Sequence, residues 1–441
     1  MTTLISLAAV IPVLPVVSFL AYGVLAISGS TKSPISETEK NCPTDDLFFI
    51  FMVPCLNEEL VIKASLERLF AIPGDNWVVM VIDDGSDDAT AEIVRSHPEF
   101  SNRVNLLQRR PPQARQGKGA ALNAAYHHLR NSPLVVGRDP DNVLPVVVDA
   151  DGRLEPNALA TVAPLFKDPR TAAVQIGVRM YNRSAGWLAR MQDMEFLVFT
   201  EIFQRARQRY GNAGLGGNGQ FVRLSALYSL GQDPWTDYLT EDLDMGLRLQ
   251  ACGWRTAFTP DTYVSQEGLT RLRPLLRQRT RWYQGHLQCW SRIPSLLNNR
   301  ELSVGRTVDL MVYLVSPISV LLITLSLLAF LPSMAILLIT QWQKTSATFL
   351  AHHALLVWWY LLVLGVIPLI ALLYSRASMR TSEGTDLRDA FGYAFLFAFY
   401  AYMWLPVAWR ATWRLLSGRR TWAKTARLTN QPLIVGSAES C

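Results

Sequence analysis

Several short stretches of this 441-residue chain gather residue types that do chemistry together. Asp149-Ala150-Asp151 sets two carboxylates on one turn. Hard divalent cations take carboxylate oxygens, and Mg²⁺ usually combines one or two of them with substrate phosphates. Asp83-Asp84-Gly85-Ser86 is a second acidic turn, and Gln116-Gly117-Lys118-Gly119 offers a cation on flexible backbone ahead of a helix, a setting that favours phosphate. Thr240-Glu241-Asp242 brings acids that could take a proton from a hydroxyl within hydrogen-bond reach. Gln278-Arg279-Thr280-Arg281-Trp282 adds two arginines able to hold a diphosphate in bidentate fashion, and an indole face for a sugar ring. Each stretch also has an ordinary reading: turn capping for the acidic pairs, a surface turn for the Lys118 loop, a helix N-cap for Thr240, and a basic-aromatic membrane anchor for the segment ending in Trp282.

The elements that must position these residues are legible in the hydrophobic pattern. Residues 47–54, 77–82, 104–108 and 144–148 form short apolar runs bounded by turn signals, as buried strands do. Helical spacing fills 58–70, 87–96 and 119–129 between them. Strands alternating with helices predict right-handed βαβ units and a mainly parallel sheet. Ligands on such sheets lie at the carboxyl ends of the strands, where both Asp83-Asp84 and Asp149–Asp151 fall. Thr240-Glu241-Asp242 opens a further helix. Residues 187–209 mix aromatics with arginines in an amphipathic helix that either lies on a membrane or packs on the sheet.

Half of the residues are hydrophobic and 18% are charged, and the apolar ones concentrate at the N-terminus and after about residue 308. Residues 4–27 carry no charge and are long enough to span a bilayer at about 1.5 Å per residue. They lack the basic n-region of a signal peptide. Three further apolar blocks follow, near 309–340, 349–374 and 389–408. The first is long for one span, short for two, and contains Pro317 and Pro332. If each block crosses once, the basic tail 410–427 lies across the membrane from the domain with the acidic motifs; if the first block is a broken or re-entrant pair, the tail returns to the cytosol. The expected organisation is an N-terminal transmembrane helix (1–30), an α/β catalytic domain (45–267), an interfacial segment (268–300), three or four C-terminal transmembrane helices (305–409) and a cytosolic basic tail (410–441). The net charge of +6 suits an anionic lipid surface, and nothing resembles a nucleic-acid-binding module. Five scattered cysteines without CxxC spacing suggest neither a disulfide framework nor a zinc site.

Taken in order, Pro54-Cys55-Leu56-Asn57-Glu58-Glu59, Asp83-Asp84-Gly85-Ser86, Gly117-Lys118-Gly119, Asp149-Ala150-Asp151, Thr240-Glu241-Asp242 and Gln278 to Trp282 resemble the motifs of membrane-embedded family 2 glycosyltransferases, the group of the cellulose, hyaluronan and poly-N-acetylglucosamine synthases. The resemblance spans about residues 47–290. It implies a GT-A fold and an inverting transfer from a UDP-sugar, with Mg²⁺ or Mn²⁺ on Asp149 and Asp151. It places Asp83 or Asp84 at the uridine with help from Asn57 and Glu58, Lys118 beside the nucleotide, and Asp242 as general base. Gln278, Arg279 and Arg281 then close the nucleotide pocket, Trp282 floors the acceptor site, and Glu241, Gly217 and Asn218 lie on the acceptor side. The Gly216–Phe221 stretch departs from the cysteine- or serine-containing sequence of the cellulose and hyaluronan synthases, which leaves the sugar open, with glucose favoured. No cyclic-dinucleotide domain is expected after the tail, and Trp422-Ala423-Lys424-Thr425 resembles a cytosolic motif of some relatives. The favoured expectation is elongation and export of a β-linked exopolysaccharide at the cell membrane, as a homo-oligomer or with an accessory export protein. The alternatives are a single transfer that makes a membrane glycolipid, or a synthase using UDP-N-acetylglucosamine. A transport or scaffold protein with a dead transferase domain ranks last, since no catalytic acid is missing.

Overall fold

The computed structural model describes residues 13–28, 46–351, 357, 366–379 and 384–419. Its centre is an eight-stranded sheet in the order β3-β2-β1-β4-β7-β6-β8-β5. Strands β1 (Phe48–Cys55), β2 (Trp77–Asp83), β3 (Val104–Gln108) and β4 (Val143–Val147) form a parallel half. β1, β2 and β4 are almost wholly apolar because helices cover both faces, while the edge strand β3 carries Asn105 and Gln108. Phe49, Phe51 and Val53 of β1 pack on one side with Ile62, Leu66 and Leu69 of α2 (Ile62–Phe70). Ile50 and Met52 pack on the other side with Ala121, Leu122 and Ala125 of α3 (Lys118–Arg130). Register sets Cys55 beside Asp83, and Asp83 beside Gln108, so the carboxyl ends form one edge.

The other half is mixed, within a sheet that is mostly parallel, as expected. β7 (Gln220–Val222) runs antiparallel between β4 and β6 (Thr171–Met180); β6 pairs parallel with β8 (Arg255–Gln266), and β5 (Arg153–Leu154) closes the edge antiparallel to β8. α4 (Trp187–Phe199) continues through a π-helical turn, Thr200–Gln204, to Gln208. It packs on the sheet, where Asp193 accepts from Met180 N of β6 at 2.9 Å and pairs with Arg179; it packs on the apolar helices as well. Met194, Leu197, Val198 and Ile202 pack with Tyr22 of α1 (Val13–Ser28), Ile370 and Tyr374 of α8 (Val366–Ser378), and Ala390 and Ala394 of α9 (Leu387–Ala401). Arg207 is buried against Asp309 at 3.2 Å instead of facing lipid.

α5 (Glu241–Ala251) and α6 (Leu272–Gln288) carry the remaining motifs. The first apolar block forms one continuous helix, α7 (Val304–Thr340), not a broken pair, with both prolines inside it. Proline deprives the carbonyl four residues earlier of its helical donor. For Pro317 that carbonyl is Tyr313 O, and His286 Nε2 of α6 donates to it at 3.2 Å. Tyr283 Oη donates to Pro317 O at 2.6 Å, and Trp290 Nε1 to Leu314 O at 2.7 Å. The last block breaks at Tyr402-Met403 into α9 and α10 (Trp404–Leu416), and α10 packs Val407, Ala408 and Ala411 against Tyr283 and Leu287 of α6. Among the described residues, two segments are long and apolar enough to cross a membrane, Val304–Leu328 and Leu387–Leu416. The described part of the N-terminal block holds a shorter apolar helix. Much of 349–374, the tail motif Trp422-Ala423-Lys424-Thr425, Cys42 and Cys441 lie outside the described residues. Cys252 and Cys289 are free thiols.

Candidate active site

The carboxyl edge of the parallel strands opens into a cleft of about 400 Å³. Its lining includes Glu58, Asp84 and the Asp149–Asp151 turn, the charged residues Lys118, Glu241 and Asp242, and the rings of Phe196, Phe199, Trp282, His286 and Tyr313. Residues as far apart in sequence as Glu58 and Tyr313 thus meet because strand ends, the start of α5, one face of α6 and the first turns of α7 converge.

At the strand ends the loops after β1 and β2 lock together. Asn57, at φ +54°, donates its N–H to Ser86 Oγ at 2.9 Å and accepts from Asp87 N at 2.9 Å. Glu58 N donates to Thr90 Oγ1 at 2.8 Å. Asp83 is buried, accepting from Ser86 N at 2.9 Å and Gln108 Nε2 at 3.0 Å. Its neighbour Asp84 is the one that lines the cleft, ion-paired with Arg109. Burial pushes the Asp84 carboxyl up, against the pull of Arg109.

Gly117 takes φ +105° just before α3, which delivers Lys118 as the first helical residue. Lys118 Nζ lies 2.6 Å from Asp149 Oδ1 and 3.2 Å from Gly217 O. Burial opposes its charge, yet Asp149, Glu241 and Asp242 hold its pKa above the usual lysine value. The Gly216–Gln220 loop enters the same centre. Asn218 Oδ1 accepts from Asp149 N at 3.1 Å, and its Nδ2 donates to Gln266 Oε1 at 2.9 Å. Gln175 fixes the loop by accepting from Gly216 N at 2.9 Å and donating to Asn218 O at 2.8 Å. Gly217 sits at φ +73°; a Cβ there would lie 2.9 Å from Asp242 Oδ2 and 3.3 Å from Lys118 Nζ. Glycine is required both by the backbone conformation and by the space.

Thr240 stands at the N-cap of α5, as one reading expected, but its side chain makes no cap hydrogen bond, and Glu241 and Asp242 enter the cleft from the first turn. Burial, then the Asp242 charge, raises Glu241 to about 7; burial raises Asp242 as well, while Lys118 pulls it down. α6 approaches this turn closely because residue 285 is glycine: a Cβ would meet Thr240 Oγ1 at 2.6 Å and Thr240 N at 2.7 Å.

On α6, Gln278, Arg281 and Trp282 line the cleft. Arg281 Nε is buried without a hydrogen-bond partner, and burial lowers the pKa of the guanidinium against Glu241, Asp149 and Asp242. Arg279 corrects the expectation of two arginines in the pocket. It is fully buried outside the cleft lining, paired with Glu195 and lying 4.1 Å over the Trp282 ring. Residues two apart on a helix point about 200° apart, so only one of the two can face the cleft. Sequence reasoning missed Gln175, Phe196, His286 and Tyr313. His286 carried a signal, standing one turn beyond Trp282 on the same face; the others are joined to the site only by the tertiary fold.

For a divalent cation the fit is with two carboxylates. Asp149 and Asp151 flank the cleft on one turn, with Asp151 Oδ2 accepting from Glu267 N at 3.3 Å. Among the described residues no group of three or more His, Cys, Asp or Glu side chains forms a metal cage. Two carboxylates completed by substrate phosphates are a normal Mg²⁺ donor set.

A family model described as glycosyltransferase-like family 2 matches residues 45–285. The chain is 32% identical over 273 residues to the beta-monoglucosyldiacylglycerol synthase of Trichormus variabilis, covering 61% of this chain and 55% of that protein. It is 26% identical over 243 residues to the poly-beta-1,6-N-acetyl-D-glucosamine synthase of Staphylococcus aureus, covering 53% of each. The chain therefore spans about half the length of these curated relatives. In three dimensions it resembles the mannosyltransferase PcManGT of Pyrobaculum calidifontis, solved with GDP-Man and Mn²⁺, over 94% of this chain and 99% of that one, with a TM-score of 0.60 and 18% identity. That likeness is one of fold, the GT-A arrangement expected from the motifs.

Proposed function

This chain belongs to glycosyltransferase-like family 2, and from that membership we propose that it is an inverting enzyme moving a hexose from a UDP-sugar to a hydroxyl of a membrane amphiphile. The observation that carries the reading is the mixed lining of the cleft. Asp84, Asp149 and Asp242 share it with Phe196, Phe199 and Tyr313, the last on a helix apolar enough to span a bilayer. In this reading a polar headgroup reaches Asp242 from the membrane, past those rings.

In this reading Asp84, with the loop held by Asn57 and Asp83, takes the base, and Lys118 and Arg281 take the diphosphate, while Gln278 lines the cleft one turn before Trp282. Asp149 and Asp151 would hold Mg²⁺ or Mn²⁺, which neutralises charge on the departing diphosphate. Asp242 accepts the proton of the acceptor hydroxyl as its oxygen bonds to the anomeric carbon and the bond from that carbon to the phosphate oxygen breaks. Attack from the face away from UDP inverts the centre to a β-glycoside. Trp282 offers its ring to the acceptor, with Glu241, Gly217 and Asn218 around it. The donor preference is glucose, in keeping with the name of the Trichormus relative.

Elongation of a β-linked polysaccharide is the second reading, favoured by the aromatic platform of Trp282 in the cleft. Purified protein, offered several UDP-sugars with Mn²⁺ or Mg²⁺ and diacylglycerol vesicles, separates the two by product size. A lipid-soluble monoglycoside supports the first reading, and an aqueous polymer the second. Absence of UDP release with every donor would sink both.

A further inference from the structure

Arg279 stands behind the cleft and touches the two cleft residues nearest to it. Its guanidinium lies 4.1 Å over the Trp282 ring, and its Nη1 donates to Gln278 Oε1 at 3.0 Å. Phe196 meets Trp282 edge-on, with centroids 5.8 Å apart and planes at 87°. Arg279 itself has no solvent exposure. A buried guanidinium needs a counter-charge and a hydrogen-bonded frame. Glu195 of α4 supplies the charge, and Tyr400 Oη of α9 donates to the same Glu195 Oε2 at 2.8 Å.

We infer that Arg279, Glu195 and Tyr400 are positioning residues: a buried clamp that sets the Trp282 indole and the Gln278 amide from behind and ties the acceptor platform to apolar helix α9. The planar guanidinium can stack on the indole and bond sideways at once, which an ammonium cannot do. Tyr400 belongs to Leu387–Leu416, one of the two segments long enough to cross a bilayer. Movement of that helix therefore reaches the acceptor floor through one hydroxyl and one ion pair, without passing through the nucleotide-side residues. This rests on the glycosyl-transfer reading for its kinetic consequence, while the clamp's separation from the nucleotide is testable by binding alone.

The test compares wild type, Tyr400→Phe, Arg279→Lys and, as a donor-side reference, Arg281→Lys, all in the full chain in detergent micelles. Calorimetry with UDP and Mn²⁺ gives the nucleotide Kd, and steady-state transfer to diacylglycerol gives acceptor KM and kcat. We expect Tyr400→Phe and Arg279→Lys to keep the nucleotide Kd within about twofold and to raise acceptor KM about tenfold, as a misplacement well below the ~1 Å that costs roughly a hundredfold would do. Arg281→Lys should instead weaken UDP. Tyr400→Phe removes one hydroxyl and keeps the assay decisive if Arg279→Lys does not fold. A nucleotide Kd that weakens in Arg279→Lys as it does in Arg281→Lys overturns the inference, as does an unchanged acceptor KM in Tyr400→Phe. If wild type binds UDP but transfers nothing, the transfer reading fails, and the two Kd values still decide whether Arg279 contacts nucleotide.

Discussion

At the scale of single residues, the site is a balance of charges around Lys118. Asp149, Glu241 and Asp242 share one ammonium, and burial pushes both acids of the Glu241-Asp242 pair toward protonation. Raised carboxyl pKa values mean that the base form appears only as pH rises. Burial, then the Asp242 charge, pushes Glu241 beside that base up to about 7, so kcat/KM, which follows the free enzyme, should climb with pH through neutrality; a profile already flat at pH 5 would contradict this. Asp242→Asn should cut transfer by a factor of roughly 10² to 10⁴ while UDP still binds by calorimetry. Gly217→Ala places a methyl 2.9 Å from Asp242 Oδ2 on a backbone at φ +73°, so transfer should fall sharply although no charge changes. The residue types at these positions were readable in the sequence because chemistry selects them. Which member of each pair faces the cleft was not: Asp84 rather than Asp83 follows from the pleat at the end of β2, and Arg281 rather than Arg279 from the rotation of α6.

At the scale of elements, α6 and α7 line the cleft with Gln278, Arg281, Trp282, His286 and Tyr313. α6 rests on the start of α5 through Gly285 against Thr240, and on α7 through His286 against the carbonyl released by Pro317. Gly285→Ala should push α6 off the start of α5, and overpacking of this kind costs about 1–3 kcal/mol, measurable as a lowered Tm. His286→Ala leaves Tyr313 O without that donor, a loss of about 1–3 kcal/mol for a buried acceptor. An unchanged Tm would show that water or another group takes the place. The parallel strands were legible as continuous apolar runs bounded by turns. The strands β6 and β8 were not, because Gln175, Gly177 and Arg179 interrupt the first and Pro260 and Asp261 the second, and β7 is only three residues long. The continuity of α7 was hidden too, since its two prolines read as breaks, and the donor on α6 that serves the carbonyl released by Pro317 comes from the tertiary fold.

At the scale of the whole molecule, a GT-A sheet is joined to apolar helices through buried polar contacts instead of a loose linker. Asp309 of α7 accepts from Tyr22 Oη at 2.9 Å and Asn212 Nδ2 at 3.0 Å, and Tyr374 Oη of α8 donates to Asp193 at 3.2 Å. Such junctions make the catalytic layer and the apolar layer one unit, which fits an acceptor that arrives from a bilayer. The order of the motifs was enough to foresee the fold, whereas the junctions join residues up to 287 positions apart and leave no local trace. The most direct test of the account is the anomeric configuration and size of the product made from UDP-glucose and diacylglycerol vesicles, read by NMR and mass spectrometry for wild type and Asp242→Asn. The account predicts a lipid-soluble β-monoglucoside from wild type and almost none from the variant. An α-linked product, or full activity in Asp242→Asn, would contradict it.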